Sequence, residues 1–214
     1  MVRRLRKRVC GLNPLKRFVY LISPSKINKS FYKDLDKVLS FNNVKFFQLR
    51  LKNEKRNKIL KIAYKIKKIL TKHKVKFILN DDFLLANKIK ADGCHLGQLD
   101  GSFLNARKIL NYKILGITCH NSKSNVKNAI KFKADYIALG SFFKSKLKPK
   151  AIKADLRILK WAKKNIKIKI VAIGGISNKN FKKLIKNGAN YIAISSFIWD
   201  NPKLKPEFAI RKFK

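Results

Sequence analysis

The chain has 214 residues, of which 46% are hydrophobic, and it carries 53 Lys+Arg against 11 Asp+Glu for a formal net charge of +42. That length suits one domain of the larger kind, and that apolar content excludes wholesale disorder. Cys10, Cys94 and Cys119 are widely spaced with no CxxC pair, which excludes a disulfide framework and a zinc site.

Residues 1–15 read as a basic extension ahead of a domain spanning 16–214. No apolar stretch of signal-peptide length follows Met1 to Arg8, because Lys16 and Arg17 interrupt it. From there, short β-branched runs alternate with amphipathic ones. Strands are expected at Phe18–Ser23, Val44–Arg50, Val75–Asn80, Gly93–Leu96, Lys113–Thr118, Tyr136–Leu139, Ile168–Ile173 and Tyr191–Ser195. Between them the spacing predicts helices over Lys26–Leu39, Lys55–Lys72, Asp82–Lys90, Ser102–Leu110, Ser122–Phe132, Ala154–Lys164 and Asn178–Asn187. In the second of these, Ile59, Ile62, Ile66 and Ile69 recur at three- and four-residue steps, and Gly188 stands just past the last, where a left-handed cap wants glycine. This alternation predicts a single-domain (β/α)8 TIM barrel; a doubly wound open sheet is the weaker alternative. The longest apolar runs, such as Ile170–Ile173 and Tyr191–Ile194, are far too short to cross a bilayer, so a cytoplasmic protein with no membrane partner is expected.

The lysines are spread along the whole chain beside abundant Ile and Asn, which reads as compositional bias and not as a polyanion-binding surface. No specific nucleic-acid partner is expected, since no sheet face shows interleaved aromatics. The acids are more informative: Asp81, Asp82, Asp92 and Asp100 gather four of the eleven within twenty residues.

In a TIM barrel the chemistry lies at the C-terminal strand ends. Along strand two, the face bearing Val44 and Phe46 continues into Gln48, Arg50 and Lys52, so it turns from apolar to phosphate-binding as it reaches the rim. Asn80-Asp81 and Asp100 end or follow adjacent strands and can face each other across a gap, a donor set suited to Mg²⁺ shared with substrate phosphates. Asp82 reads as a helix cap, and His95 and His120 as supporting residues. After strand six, the lysine-rich loop carrying Lys144, Ser145, Leu147 and Lys148 has the place and composition of a phosphate-grasping lid. Gly174-Gly175 and Ser195-Ser196 end strands seven and eight, where barrels commonly hold phosphate on backbone N–H groups.

Together these segments resemble the thiamine phosphate synthase family, which also contains thiazole tautomerases. The resemblance is carried by Gln48-Leu-Arg50-Leu-Lys52, Asn80-Asp81, Ala91 to Asp100, Leu115 to Thr118, Ala134 to Gly140, Ala172 to Ile176 and Gly188 to Ser196. It implies coupling of a hydroxymethylpyrimidine diphosphate to a thiazole phosphate, giving thiamine phosphate and pyrophosphate. It further implies that Gln48, Arg50, Lys52 and Asn80 hold the pyrimidine diphosphate while Lys148 closes on it, with Arg50, Lys52 and Lys148 counted as catalytic. Asp81 and Asp100 would hold Mg²⁺, and Thr118 would contact the pyrimidine. Ser145, Gly175, Ser195 and Ser196 would seat the thiazole phosphate. Leu147 departs from the family pattern, standing where the lid usually carries a second hydroxyl. The rivals are a thiazole tautomerase of the same family and a non-catalytic, nucleic-acid-binding barrel.

Overall fold

The structure, a computed structural model, describes residues 17–144 and 153–214. The expected N-terminal extension and the lid residues Ser145, Leu147 and Lys148 lie outside them. In chain order the elements are β1 (Val19–Ile22), α1 (Phe31–Leu39), β2 (Val44–Leu49), α2 (Arg56–Lys72), β3 (Lys76–Asn80), α3 (Phe83–Lys88), β4 (Gly93–Leu96) and α4 (Phe103–Leu110). They continue with β5 (Ile114–His120), α5 (Lys123–Lys131), β6 (Tyr136–Gly140), α6 (Leu156–Asn165), β7 (Lys169–Ile173), α7 (Phe181–Lys186), β8 (Tyr191–Ile194), α8 (Ser196–Trp199) and α9 (Pro206–Ile210). The strands run parallel in the order β1 to β8, and β8 pairs back onto β1 to close the barrel.

Two strand faces make two cores, because successive side chains of a strand point to opposite sides. Leu21, Phe47, Leu49 and Phe77 face outward and pack under the helices. Tyr20, Phe46, Ile78, Tyr136, Ala138, Val171 and Ala193 face inward and fill the lumen. Gly116 of β5 makes this filling possible, since a Cβ there would stand 1.9 Å from the Tyr136 ring. Helix starts follow local chemistry: Asp82, Ser102, Ser122 and Asp155 each accept a backbone N–H of the first turn.

The first helix begins at Phe31, five residues later than the sequence spacing predicts. The Asn28 side-chain oxygen takes the Phe31 N–H at 2.9 Å and the Ser30 hydroxyl at 3.0 Å, which holds the preceding turn out of the helix. Helices α8 and α9 were not anticipated, being too short to show a period, although Pro206 at the start of α9 is a recognisable signal.

At the N-terminal end of the barrel an Asp or Asn precedes each of β4, β6 and β8 and ties it to the strand before. Asp92 accepts the Phe77 N–H, Asp135 the Leu115 N–H and Asn190 the Ile170 N–H, each at 2.8 Å. The four acids that cluster in the sequence are thereby divided. Asp92 closes the bottom and Asp82 caps α3, leaving Asp81 and Asp100 at the mouth.

Candidate active site

Arg50 and Lys52 follow the end of β2, Asp81 follows β3, and Asp100 lies in the loop after β4. Asp81 sits in the left-handed backbone region (φ 66°), which a short polar side chain tolerates better than a branched one. Its N–H donates to the His95 carbonyl at 2.8 Å, fixing the turn. The turn brings its carboxyl to hydrogen-bonding contact with Asp100 and to 3.7 Å from the Lys52 ammonium. Burial, then the neighbouring Asp100 carboxyl, pushes Asp81 up to about 6 against the pull of Lys52 and Arg50. Asp100 is half-buried too, yet hydrogen bonds from Asp81 and from the Gly97 N–H (2.7 Å) hold it below the usual carboxylate range. Below about pH 6 the pair therefore shares one proton. Two adjoining carboxylates that repel when both ionised form a donor set that a hard divalent cation relieves, so these residues fit Mg²⁺.

A polar chain crosses the lumen beneath this pair. The Gln48 amide donates to the Tyr20 hydroxyl at 2.9 Å, and the Tyr20 and Tyr136 hydroxyls lie 2.7 Å apart. The Tyr136 hydroxyl stands 2.9 Å from His95 Nδ1, and His95 Nε2 stands 2.8 Å from the Thr118 hydroxyl. The Gln98 side chain donates to the Thr118 carbonyl and steadies the far end. Burial raises both phenols well above their ordinary range, so both keep their protons.

On the opposite side of the mouth, Ser195 donates its hydroxyl proton to the Ser23 carbonyl at 3.0 Å, so any contact with an anion falls to backbone N–H groups. Ser196 opens α8, whose first backbone bond is Ile198 N–H to Ser195 O at 2.9 Å. Gly175 (φ 59°) does something the sequence did not indicate. A Cβ there would meet the Lys144 carbonyl at 2.3 Å and the Phe143 carbonyl at 2.7 Å, so its bare backbone seats the start of the loop after β6. The Phe143 N–H to Gly174 O bond, 3.1 Å, ties the two segments together.

A family model described as "Thiamine monophosphate synthase" matches residues 19–198. The chain belongs to the thiamine monophosphate synthase family. Among similar proteins, the "Thiamine-phosphate synthase" of Pelagibacter ubique is 56% identical over 200 residues, covering 93% of this chain and 97% of that one. The one from Erythrobacter litoralis is 38% identical over 186 residues, covering 85% and 87%. Among solved structures, "Thiamine phosphate pyrophosphorylase from Pyrococcus furiosus" superposes with a TM-score of 0.80 at 26% identity, covering 94% of each chain.

For a member of the thiamine monophosphate synthase family, the sequence motifs land in three groups. Arg50, Lys52, Asp81 and Asp100 converge on one side of the mouth. Gln48 and Thr118 are joined through the lumen, with Asn80 paired in register with His95 between them. Gly175, Ser195 and Ser196 form the β7–β8 rim. Among the described residues the exposed side chain of His120 makes no hydrogen bond to this network, and Tyr20, Tyr136, Gln98 and Ser23 are participants that sequence reasoning missed. A tyrosine at an inward strand position is indistinguishable in sequence from core; its hydroxyl partner lies 116 residues away. No helix among the described residues is long and apolar enough to cross a membrane.

Proposed function

We propose that this barrel is a thiamine-phosphate synthase that joins 4-amino-2-methyl-5-hydroxymethylpyrimidine diphosphate to thiazole phosphate and releases pyrophosphate. The observation that carries the reading is the Asp81–Asp100 pair with Lys52 and Arg50 beside it, an acid pair and two cations on adjacent strand ends. A thiazole tautomerase handles no diphosphate and has no use for that combination.

Arg50 and Lys52 bind the diphosphate oxygens and, with Lys148 from the lid, offset the charge that gathers as the pyrimidine CH₂–O bond breaks. Asp81 and Asp100 would hold Mg²⁺, which when bound neutralises part of the diphosphate charge. Asn80 and Gln48 orient the pyrimidine diphosphate, and Thr118 meets the ring. The electron pair of the broken bond leaves with pyrophosphate, and the thiazole nitrogen closes on the CH₂ carbon. Neither step takes a proton from carbon or oxygen, so the protein needs no general base. Backbone N–H groups of the Gly175 and Ser195–Ser196 turns, with Ser145 of the lid, seat the thiazole phosphate.

The test is thiamine phosphate formation by wild type, Asp100→Asn and Arg50→Ala, with and without EDTA. An asparagine oxygen still accepts the Gly97 N–H, so Asp100→Asn keeps its turn while holding a cation poorly. We expect it to lower kcat/KM roughly 100-fold, with a smaller loss for Arg50→Ala. Full activity of wild type in EDTA, or of Asp100→Asn, rejects the metal assignment. Failure of wild type to couple while it tautomerises the thiazole rejects the synthase reading.

A further inference from the structure

We infer that the lumen chain from Gln48 through Tyr20, Tyr136 and His95 to Thr118 is a one-way hydrogen-bond relay, and that Tyr20, Tyr136 and His95 are positioning residues for the pyrimidine ring. The direction follows from counting protons. Gln48 Nε2 can only donate, so the Tyr20 oxygen accepts at 2.9 Å. Tyr20 then has one proton to place, and its hydroxyl lies sealed in the core 2.7 Å from Tyr136. If Tyr136 donated to Tyr20 instead, the Tyr20 proton would be buried without an acceptor, a costly arrangement. Tyr20 therefore donates to Tyr136. Tyr136 in turn gives its proton to His95 Nδ1 at 2.9 Å. A neutral imidazole that accepts at Nδ1 carries its proton on Nε2, and it donates that proton to the Thr118 oxygen at 2.8 Å. Burial, which keeps both phenols protonated, keeps the relay intact.

The two ends inherit opposite polarity. Gln48, with Nε2 turned inward, presents Oε1 as an acceptor; that atom accepts no bond among the described residues and is not among those sealed from solvent without a partner. Thr118, already accepting from His95, keeps its hydroxyl proton to donate. An acceptor at one end and a donor at the other complement a ring offering an amino group and a ring nitrogen. A 4-oxo ring offers the reverse, and fitting it would require all five groups to turn over together. The ring-recognition half of this inference rests on the proposed synthase reading and deepens it; the proton order does not. Room for the relay comes from Gly116, without which the Tyr136 ring could not lie in the lumen.

The tautomer is directly observable. The chain has three histidines, and His73 and His120 can be assigned by replacing each with Asn in ¹⁵N-histidine-labelled protein. Wild type without substrate should show His95 protonated on Nε2 with a bare, hydrogen-bonded Nδ1. Tyr136→Phe and, independently, Tyr20→Phe should release His95 into a mixture of tautomers. They should also raise the KM for pyrimidine diphosphate roughly tenfold with that for thiazole phosphate unchanged. A wild-type His95 protonated on Nδ1 overturns the relay, whether or not either variant folds. Unchanged tautomer and KM in a folded Tyr136→Phe variant overturns the positioning role. Because the spectrum needs no substrate, a correct tautomer with no coupling activity would point to a failure of the synthase reading alone.

Discussion

At the residue scale, the acid pair ties local backbone to pH behaviour. Asp81 titrates near 6 in the folded chain instead of at its ordinary 3.8, because burial and Asp100 both oppose its ionisation. A carboxyl whose folded pKa is raised binds its proton more tightly folded than unfolded. Its contribution is complete below about 3.8 and is lost as pH rises through about 6. We therefore expect metal-free wild type to lose stability relative to Asp81→Asn between pH 4 and 7, measured by urea unfolding in EDTA. Asparagine tolerates the left-handed backbone at this site, so the variant is a fair reference for the protonated acid. A wild type that gains on the variant over this range would mean Lys52 and Arg50 outweigh Asp100. Period-two reading of strand two made Gln48, Arg50 and Lys52 legible, because a rim is where an inward face turns polar. The cap signal ahead of the third helix likewise assigned Asp82 to the helix and left Asp81 to the site. In the structure the turn gives Asp82 to the Leu85 N–H and to Arg56 and leaves Asp81 beside Asp100.

At the element scale, the Asp and Asn residues ahead of β4, β6 and β8 and the glycine after β7 show how strands are held and spaced. Asp92→Ala would strand the Phe77 N–H, and Asp135→Ala the Leu115 N–H. Each should cost about 1–3 kcal/mol in unfolding free energy while leaving kcat unchanged, since both lie at the end of the barrel remote from the mouth. A marked loss of kcat at unchanged stability would contradict this placement. Gly175→Ala adds a Cβ against the Phe143 and Lys144 carbonyls and strains a positive φ. It should raise the KM for thiazole phosphate by shifting the loop after β6, and not by filling the anion's place. A loop that stays put in the variant's structure, with the KM still raised, would restore the simpler steric explanation. Pattern alone located these elements well. Their edges shifted where a side chain competed for backbone groups, as Asn28 does ahead of α1.

At the scale of the whole molecule, a charge of +42 sets the response to salt. Ion pairs such as Lys37–Glu207 and Lys76–Asp92 engage the few acids, leaving most cations to repel one another. Raising salt from 0.05 to 0.5 M should therefore raise the Tm, on the order of 5 °C, as screening relieves repulsion. A falling Tm would mean that the ion pairs dominate. DNA or RNA binding should be weak, indifferent to sequence and steeply lost with salt; tight, selective binding at physiological salt would speak for a dedicated polyanion surface. The sequence by itself determined the eight alternating units, the inward row of strand two and the motifs that mark the family. Each of these is written in short-range periodicity or in contiguous residues. Only the tertiary structure decided that the Asp81 and Asp100 carboxyls come into hydrogen-bonding contact, that Gly175 serves a neighbouring loop, and that two tyrosines and a histidine join Gln48 to Thr118. Those facts depend on closure of the barrel. Closure brings residues from β1, β2, β4, β5 and β6 within hydrogen-bond reach across a lumen whose neighbours are distant in sequence.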